Sequence, residues 1–291
     1  MSVFTLGQAT ITRIEETYGA TYPLRHIFPE ITDAQLAEHR HWMAPNHYDA
    51  DSGLIKLSVH SWLLQIGGKK ILIDGCCGNH KNKPGRPFWT DLNVPYLERL
   101  AAAGARPDEI DMVMCTHLHH DHVGWNTQQR DGKWVPTFPN AKYIFHKREY
   151  SVWEAEYAKG NNPPGKVFRD NCLPIVEAGQ ALLVDDDYAL DDLITLTPTP
   201  GHSPCHCCVN IFSRGQRAVV AGDLMHHVIQ CREPDWSARP DWDPRQSAVS
   251  RRKFFAEVAD TGTLILPVHF PRPTVGLLKA DGDRFDYRFR R

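Results

Sequence analysis

The sequence predicts an α/β protein, a four-layer αββα sandwich, and three observations carry that expectation. One order of elements occurs twice along the chain: two apolar strands around a tight turn, then a helix, then a third strand. In both halves the strand-like apolar runs stop on an aspartate or a histidine. At 291 residues the chain is also near the size where a single core begins to split, so each half can bury one sheet face under helices.

The first half opens with "SVHSWLLQIGGKKILIDGCC", two strands around Gly67 and Gly68, the second ending at Asp74. A helix is expected from Val94 to Ala103, stopped by Gly104. A strand from Met112 to Cys115 follows. The second half replays this order. "CHCCVNIFSRGQRAVVAGD" reads as two strands around Ser213–Gln216, ending at Asp223. A helix is expected over Ala248–Val258, with Phe254, Phe255 and Val258 on one face. The strand "TLILPVHF" then ends at His269. The Asp74, Asp223 and His269 strand ends should share one edge with the histidine cluster after Cys115. Residues 1–291 are read as a single domain, with residues 1–50 as an N-terminal extension that contributes Trp42, Met43, His47 and Tyr48 in a loop-like lid. "NNPPG" at Asn161–Gly165 and "HKNKPGRP" at His80–Pro87 are read as surface loops.

Composition excludes several classes. A net charge of -2 gives no electrostatic footprint for nucleic acid or an anionic membrane. No run approaches the roughly 20 apolar residues of a membrane helix, and the N-terminus has no export signal pattern. The eight cysteines, Cys76, Cys77, Cys115, Cys172, Cys205, Cys207, Cys208 and Cys231, form no C-x-x-C pair. They read as buried thiols in a reducing, cytoplasmic setting.

The stretch "MVMCTHLHHDHVGW" carries the chemistry. His117, His119, His120, Asp121 and His122 crowd into six positions directly after an apolar strand. A packed core has little use for so many imidazoles. On a turn, His117 and His119 can point one way while Asp121 and His122 come round toward an adjacent point. Imidazole nitrogen and carboxylate oxygen are ligands of zinc and its neighbours. His202, Asp223 and His269, each after its own apolar run, are the candidates to complete the set.

This pattern, H-x-H-x-D-H at His117, His119, Asp121 and His122 followed in order by His202, Asp223 and His269, resembles the metallo-β-lactamase superfamily. The resemblance covers the chain from about Leu57 to Phe270. It implies a two-metal site, with His117, His119 and His202 on one ion, Asp121, His122 and His269 on the other, and Asp223 bridging. It implies two divalent cations, zinc foremost, with cobalt, manganese or iron as alternatives. Two such ions can lower the pKa of a shared water toward neutrality, and the sequence has no G-x-S-x-G elbow to supply a serine nucleophile instead.

Within the superfamily, "THLHHDHVGWNT" and "TPTPGHSP" resemble the branch of N-acyl homoserine lactone lactonases and methyl parathion hydrolase. That implies a hydrolase opening a lactone or cleaving another ester, acting on a small molecule. Aryl ester or phosphotriester hydrolysis, and an iron-dependent sulfur dioxygenase-like reaction, are the alternatives. A homodimer stays open. One departure matters: lactonases commonly place a tyrosine three residues after the bridging aspartate, and here that position is His226. Asp121 and His226 are therefore the catalytic candidates, His226 as a proton donor in place of a phenol.

Several neighbours get plainer roles. Asp74 is read as a structural hydrogen-bond acceptor, His206 as packing or support, His60 as a buried histidine, and His120 as exposed or supporting. Trp89, Trp125, Phe138, Met225 and Phe270 would suit an apolar substrate, but each is better explained as core.

Overall fold

The computed structural model describes residues 2–83, 85–160 and 164–290. The chain divides into two compact units, Met1–Glu16 with Val59–Leu190, and Thr17–Ser58 with Asp191–Arg291. Two long strands, Ala9–Pro23 and Leu54–Ile66, begin in one unit and end in the other.

In the first unit, strand Leu54–Ile66 turns back into Lys69–Ile73 with Ile66 opposite Lys69 and Trp62 opposite Ile73. Gly67 and Gly68 have φ of 56° and 76°. A two-residue hairpin loop with both φ positive matches the twist of the flanking strands, and glycine adopts it without a Cβ penalty. The chain then crosses through helix Tyr96–Ala102 to strand Met112–Met114, parallel to Lys69–Ile73. A parallel neighbour needs such a crossover. Lys142–His146 and Ala181–Val184 extend the sheet, both in parallel. Ile71, Leu72 and Ile73 are all fully buried, as a central strand covered on both faces requires.

The second unit repeats the plan. Cys207–Ser213 and Gln216–Gly222 form a hairpin through Arg214 and Gly215, at φ of 50° and 74°. Helix Pro244–Val258 leads to strand Leu264–Pro267, parallel to Gln216–Gly222. Phe254, Phe255 and Val258 face the core as expected, packed with Val219, Ile265, Leu278 and Phe285. Two further strands that the pattern analysis left unread, Gly276–Asp281 and Arg284–Phe289, close this sheet as an antiparallel hairpin.

Three expectations need adjustment. Residues near the N-terminus are not only an extension: Ser2–Leu6 and Ala9–Pro23 are strands of the larger sheet. The loop-like run around Trp42 contains helix Asp33–Met43, which starts in a capping box, Gln35 N donating to Thr32 Oγ1 and Thr32 N to Gln35 Oε1. Met43, His47 and Tyr48 are buried. The His80–Pro87 segment, Pro84 aside, is not a simple solvated loop, because Lys81 and Lys83 are buried. Lys81 Nζ donates to Thr127 Oγ1 and sits 3.6 Å over the Trp134 ring, while Lys83 Nζ donates to the Cys77 carbonyl. In "NNPPG", residues 161–163 lie outside the described residues, and a helix runs from Pro164 to Asn171.

Among the described residues no disulfide forms, and all eight cysteines are buried thiols. No helix among them is long and apolar enough to cross a membrane.

Candidate metal centre

Each unit builds its own cluster of imidazoles and carboxylates at the ends of its central strands. In the first unit the strand Met112–Met114 runs out two residues before Thr116, and the H-L-H-H-D-H turn follows. Asp74, just past the end of Lys69–Ile73, ties that turn to the sheet. Its carboxylate accepts from Thr116 N at 2.8 Å and Thr116 Oγ1 at 3.0 Å. His122 Nδ1 donates to the same carboxylate at 2.9 Å. Because the Thr116 hydroxyl proton goes to Asp74, its oxygen is the acceptor for His117 Nδ1, 3.1 Å away. Leu118 N and Trp153 Nε1 both donate to the buried Glu149, and the Trp153 ring meets His119 edge-on. The His117 ring centroid lies 4.5 Å from that of His119 and 4.0 Å from that of His122. The turn is thus held from behind by two carboxylates while its imidazoles gather in front.

In the second unit the convergence point is Asp223. Its backbone N–H donates to His206 Nε2 at 3.0 Å, and His206 Nδ1 meets Thr199 Oγ1 at 2.7 Å. The carboxylate faces three imidazoles. Oδ2 lies 3.2 Å from His202 Nε2 and 3.3 Å from His226 Nε2, and Oδ1 lies 3.0 Å from His269 Nε2. His202 Nδ1 donates to Asp241 Oδ1 at 2.8 Å, and His269 Nδ1 to the Ser58 carbonyl at 3.0 Å.

These contacts test whether the residues suit a metal. In His117, His122, His202 and His269 the Nδ1 proton is committed to an oxygen acceptor behind the ring, which fixes the tautomer and presents Nε2 as the ligand atom. Two ligands at about 2.0–2.2 Å from one ion stand roughly 3–3.5 Å apart. The Asp223–His202 and Asp223–His269 separations are of that size, and each involves a different carboxylate oxygen. That is the arrangement of a carboxylate able to serve two ions.

Electrostatics agree. Burial disfavours a charged His202, yet the Asp223 and Asp241 carboxylates outweigh it and push its pKa up to about 9. The carboxylates therefore call for positive charge at this point, which a divalent cation supplies in place of a proton. His226 goes the other way: burial lowers its pKa in spite of Asp223. His120 is driven down to about 3 by burial, so it is a neutral imidazole.

The plainer readings fared unevenly. Asp74 is the acceptor expected, and His206 supports Asp223 through the main chain. His60 is buried edge-on to Trp62. His120 is not an exposed residue; it is largely covered, its ring 5.8 Å from Trp89. Trp89, Trp125, Phe138, Met225 and Phe270 are all buried, and Trp125 Nε1 donates to the buried Glu16. Sequence reasoning missed Asp241 and Glu149. Glu149 lies in the charged first turn "KREY" of helix Lys147–Ala158, and Asp241 sits among other acids in "EPDWSARPDWDP" with nothing local to distinguish it.

Residues 54–269, well over half of the chain, match the family model of the Metallo-beta-lactamase superfamily. The chain belongs to the metallo-beta-lactamase superfamily. It has that superfamily's fold, the αββα class predicted from its pattern, and all seven candidate ligands fall inside the matched residues. Among curated relatives, it is 29% identical over 139 residues to the N-acyl homoserine lactonase AiiB of Agrobacterium fabrum, covering 44% of this chain and 47% of that protein. It is 26% identical over 166 residues to an N-acyl homoserine lactonase of Bacillus thuringiensis, 53% of this chain and 58% of the other. The chain spans about half the length of the curated relatives it matches. Among solved structures, a hydrolase of the superfamily, AbOPH, superposes with a TM-score of 0.83 at 25% identity, over 99% of this chain and 97% of that one. AidC, described as a dizinc quorum-quenching lactonase, superposes with a TM-score of 0.79 at 23% identity, over 100% and 97%.

Proposed function

We propose that this protein is a metal-dependent hydrolase that opens a lactone or cleaves a related carboxylic ester. The observation that carries the reading is Asp223, with one carboxylate oxygen against His202 and the other against His269, each imidazole held by its Nδ1. Following the superfamily pattern, His117, His119 and His202 hold one divalent ion, Asp121, His122 and His269 hold the second, and Asp223 serves both. Zinc suits a set of imidazoles and carboxylates at this spacing. When bound, the ions supply Lewis acidity toward the ester carbonyl and a water acidified to near-neutral pKa.

The chain's own groups do the rest. Asp121, ligand and catalytic candidate, offsets charge on the second ion. His226 is buried, and neither ring nitrogen makes a hydrogen bond among the described residues, although Nε2 lies 3.3 Å from Asp223 Oδ2. An imidazole kept neutral by burial beside the Asp223 carboxylate can take up a proton during the reaction and pass it to the departing alkoxide. The whole chain acts as one functional domain, on a small molecule, in a reducing cytoplasmic compartment that keeps its eight thiols reduced.

The lactonase relatives, including a structure described as dizinc, support the lactone class. The test is a hydrolysis screen on zinc-loaded protein with acyl homoserine lactones, simple lactones, aryl esters, phosphotriesters and β-lactams, alongside elemental analysis. Two divalent ions per chain and turnover best on lactones are expected. One iron per chain with no hydrolysis of any ester would overturn the proposal in favour of an oxygenase.

A further inference from the structure

The histidine His202 is gripped more tightly than its role as one ligand among seven would need. Asp241 is the centre of that grip. Its side chain is 1% exposed, and its two oxygens have separate duties: Oδ1 accepts from His202 Nδ1 at 2.8 Å and Oδ2 accepts from Ala238 N at 3.0 Å. Asp241 N donates back to the Ala238 carbonyl, which closes a tight turn around the carboxylate. The next two residues pin the backbone of the ligand loop, Trp242 N donating to the His202 carbonyl and Asp243 N to the Gly201 carbonyl. Helix Pro244–Val258 then starts directly against that loop. Ser250 Oγ donates to the Pro200 carbonyl, and a Cβ on Gly201 (φ +129°) would lie 2.1 Å from Ser247 N. Segment 238–250 therefore fixes both the main chain and the ring of His202, with Asp241 supplying the hydrogen bond to the ring.

We propose that Asp241 is the positioning residue for His202, and that it sets the affinity of one metal site separately from the other. The inference rests on the metal reading of His202 and Asp223 given above. Asp241 fixes the tautomer, so that Nε2 carries the lone pair. It also fixes the ring plane, so that Nε2 stays beside Asp223 Oδ2, and it raises the basicity of the ligand. It does for His202 what Asp74 does for His122 in the first unit, from an unrelated place in the sequence.

The experiment titrates zinc from the loaded full-length protein with a competing chelator, for wild type, Asp241→Asn, Asp241→Ala and Asp243→Ala. Cobalt substitution and its visible spectrum provide a second readout of ligand geometry. Asp243 caps the same helix, its Oδ1 accepting from Gln246 N, but does not touch His202 with its side chain, so its variant reports general loosening of the segment. The expected result is that Asp241→Ala weakens one of the two zinc ions about 10–100-fold and leaves the other near wild type. Asp241→Asn, which keeps an acceptor oxygen and loses the charge, should fall between. Asp243→Ala should lower the Tm yet leave both ions in place.

Two ions held with wild-type affinity in Asp241→Ala would overturn the proposal. So would equal loss of both ions, or the same loss in Asp243→Ala, since either would mean the segment only stabilises the fold. A wild-type protein that holds no ion at all would instead overturn the metal reading, and the positioning role with it.

Discussion

Asp74 and Asp223 occupy the same station in the two halves of the molecule, each just past the second strand of a hairpin whose next neighbour is a parallel strand. Their surroundings differ. Asp74 receives a backbone N–H, a hydroxyl and one imidazole Nδ1, so its carboxylate is spent on holding the turn that follows Met112–Met114. Asp223 has its N–H taken by His206, and its carboxylate faces the Nε2 atoms of His202, His226 and His269. A strand-end aspartate becomes a scaffold where N–H and O–H donors surround it, and, on the metal reading proposed above, a ligand where imidazole Nε2 atoms face it. In the second unit the scaffold duty passes to Asp241, which is supplied from the turn before helix Pro244–Val258.

The comparison breaks first at the two aspartates themselves. Asp223→Ala should strip both ions and abolish turnover if, as proposed, its one carboxylate serves two sites. Asp74→Ala should cost only the ~10–100-fold in metal affinity typical of an outer partner, concentrated on the ion held by His122. Metal content after dialysis and kcat/KM on one lactone measure both. Equal losses in the two variants would erase the distinction drawn here.

A smaller effect is expected at His226. His226→Ala should lower kcat on lactones and alkyl esters by about 10²–10⁴-fold with metal content unchanged, because a proton donated to the leaving oxygen is needed mainly in the transition state. Nitrophenyl esters, whose leaving group departs unaided, should lose little. Equal losses on both substrates would make His226 a packing or orienting residue.

The smallest effect is one of acid stability in the second unit. Burial holds His47 at a pKa of about 3 and His227 at about 4, against an ordinary 6.5. Both are in the second unit, where His227 Nε2 donates to the His47 carbonyl and the His47 ring stacks on Phe289 at 5.0 Å. The folded state keeps them neutral while the unfolded chain takes up protons below 6.5. Their contribution is thus fully present above that pH and is lost as pH falls toward 3, each at up to about 1.4 kcal/mol per pH unit. His47→Phe preserves the stacking and should flatten the fall in unfolding free energy between pH 6.5 and 4. An unchanged slope in urea titrations would show that His47 does not carry it.

Much of this protein is determined by residues read in order. Gly67-Gly68 and Arg214-Gly215 mark the two hairpins, because few residues other than glycine enter positive φ cheaply. The apolar runs "KKILI" and "RAVVAG" give the strands, and Phe254, Phe255 and Val258 give the helix face. The H-L-H-H-D-H turn with His202, Asp223 and His269 gives the candidate ligands, since metal ligation uses few residue types and places them at strand ends. Helix and strand bounds came within a few residues of those observed, with the largest differences at the starts of Leu54–Ile66 and of Pro244–Val258, where the helix begins at a proline that pattern alone reads as a break.

What the sequence could not determine is which polar groups stand behind those ligands. Glu149 lies on a helix 31 positions from the Leu118 amide it accepts from, and Asp241 stands 39 positions from His202. Neither has a local signature, because a hydrogen-bond acceptor needs only to arrive at the right point in space, and any loop can deliver one. The same holds for the buried lysines of the His80–Pro87 segment. Local composition says "solvated loop", whereas Thr127, Trp134 and the Cys77 carbonyl supply contacts that exist only after folding. Ligand identity is a matter of residue chemistry and is written in order along the chain; ligand orientation is a matter of distances across it, and only the tertiary structure decides those.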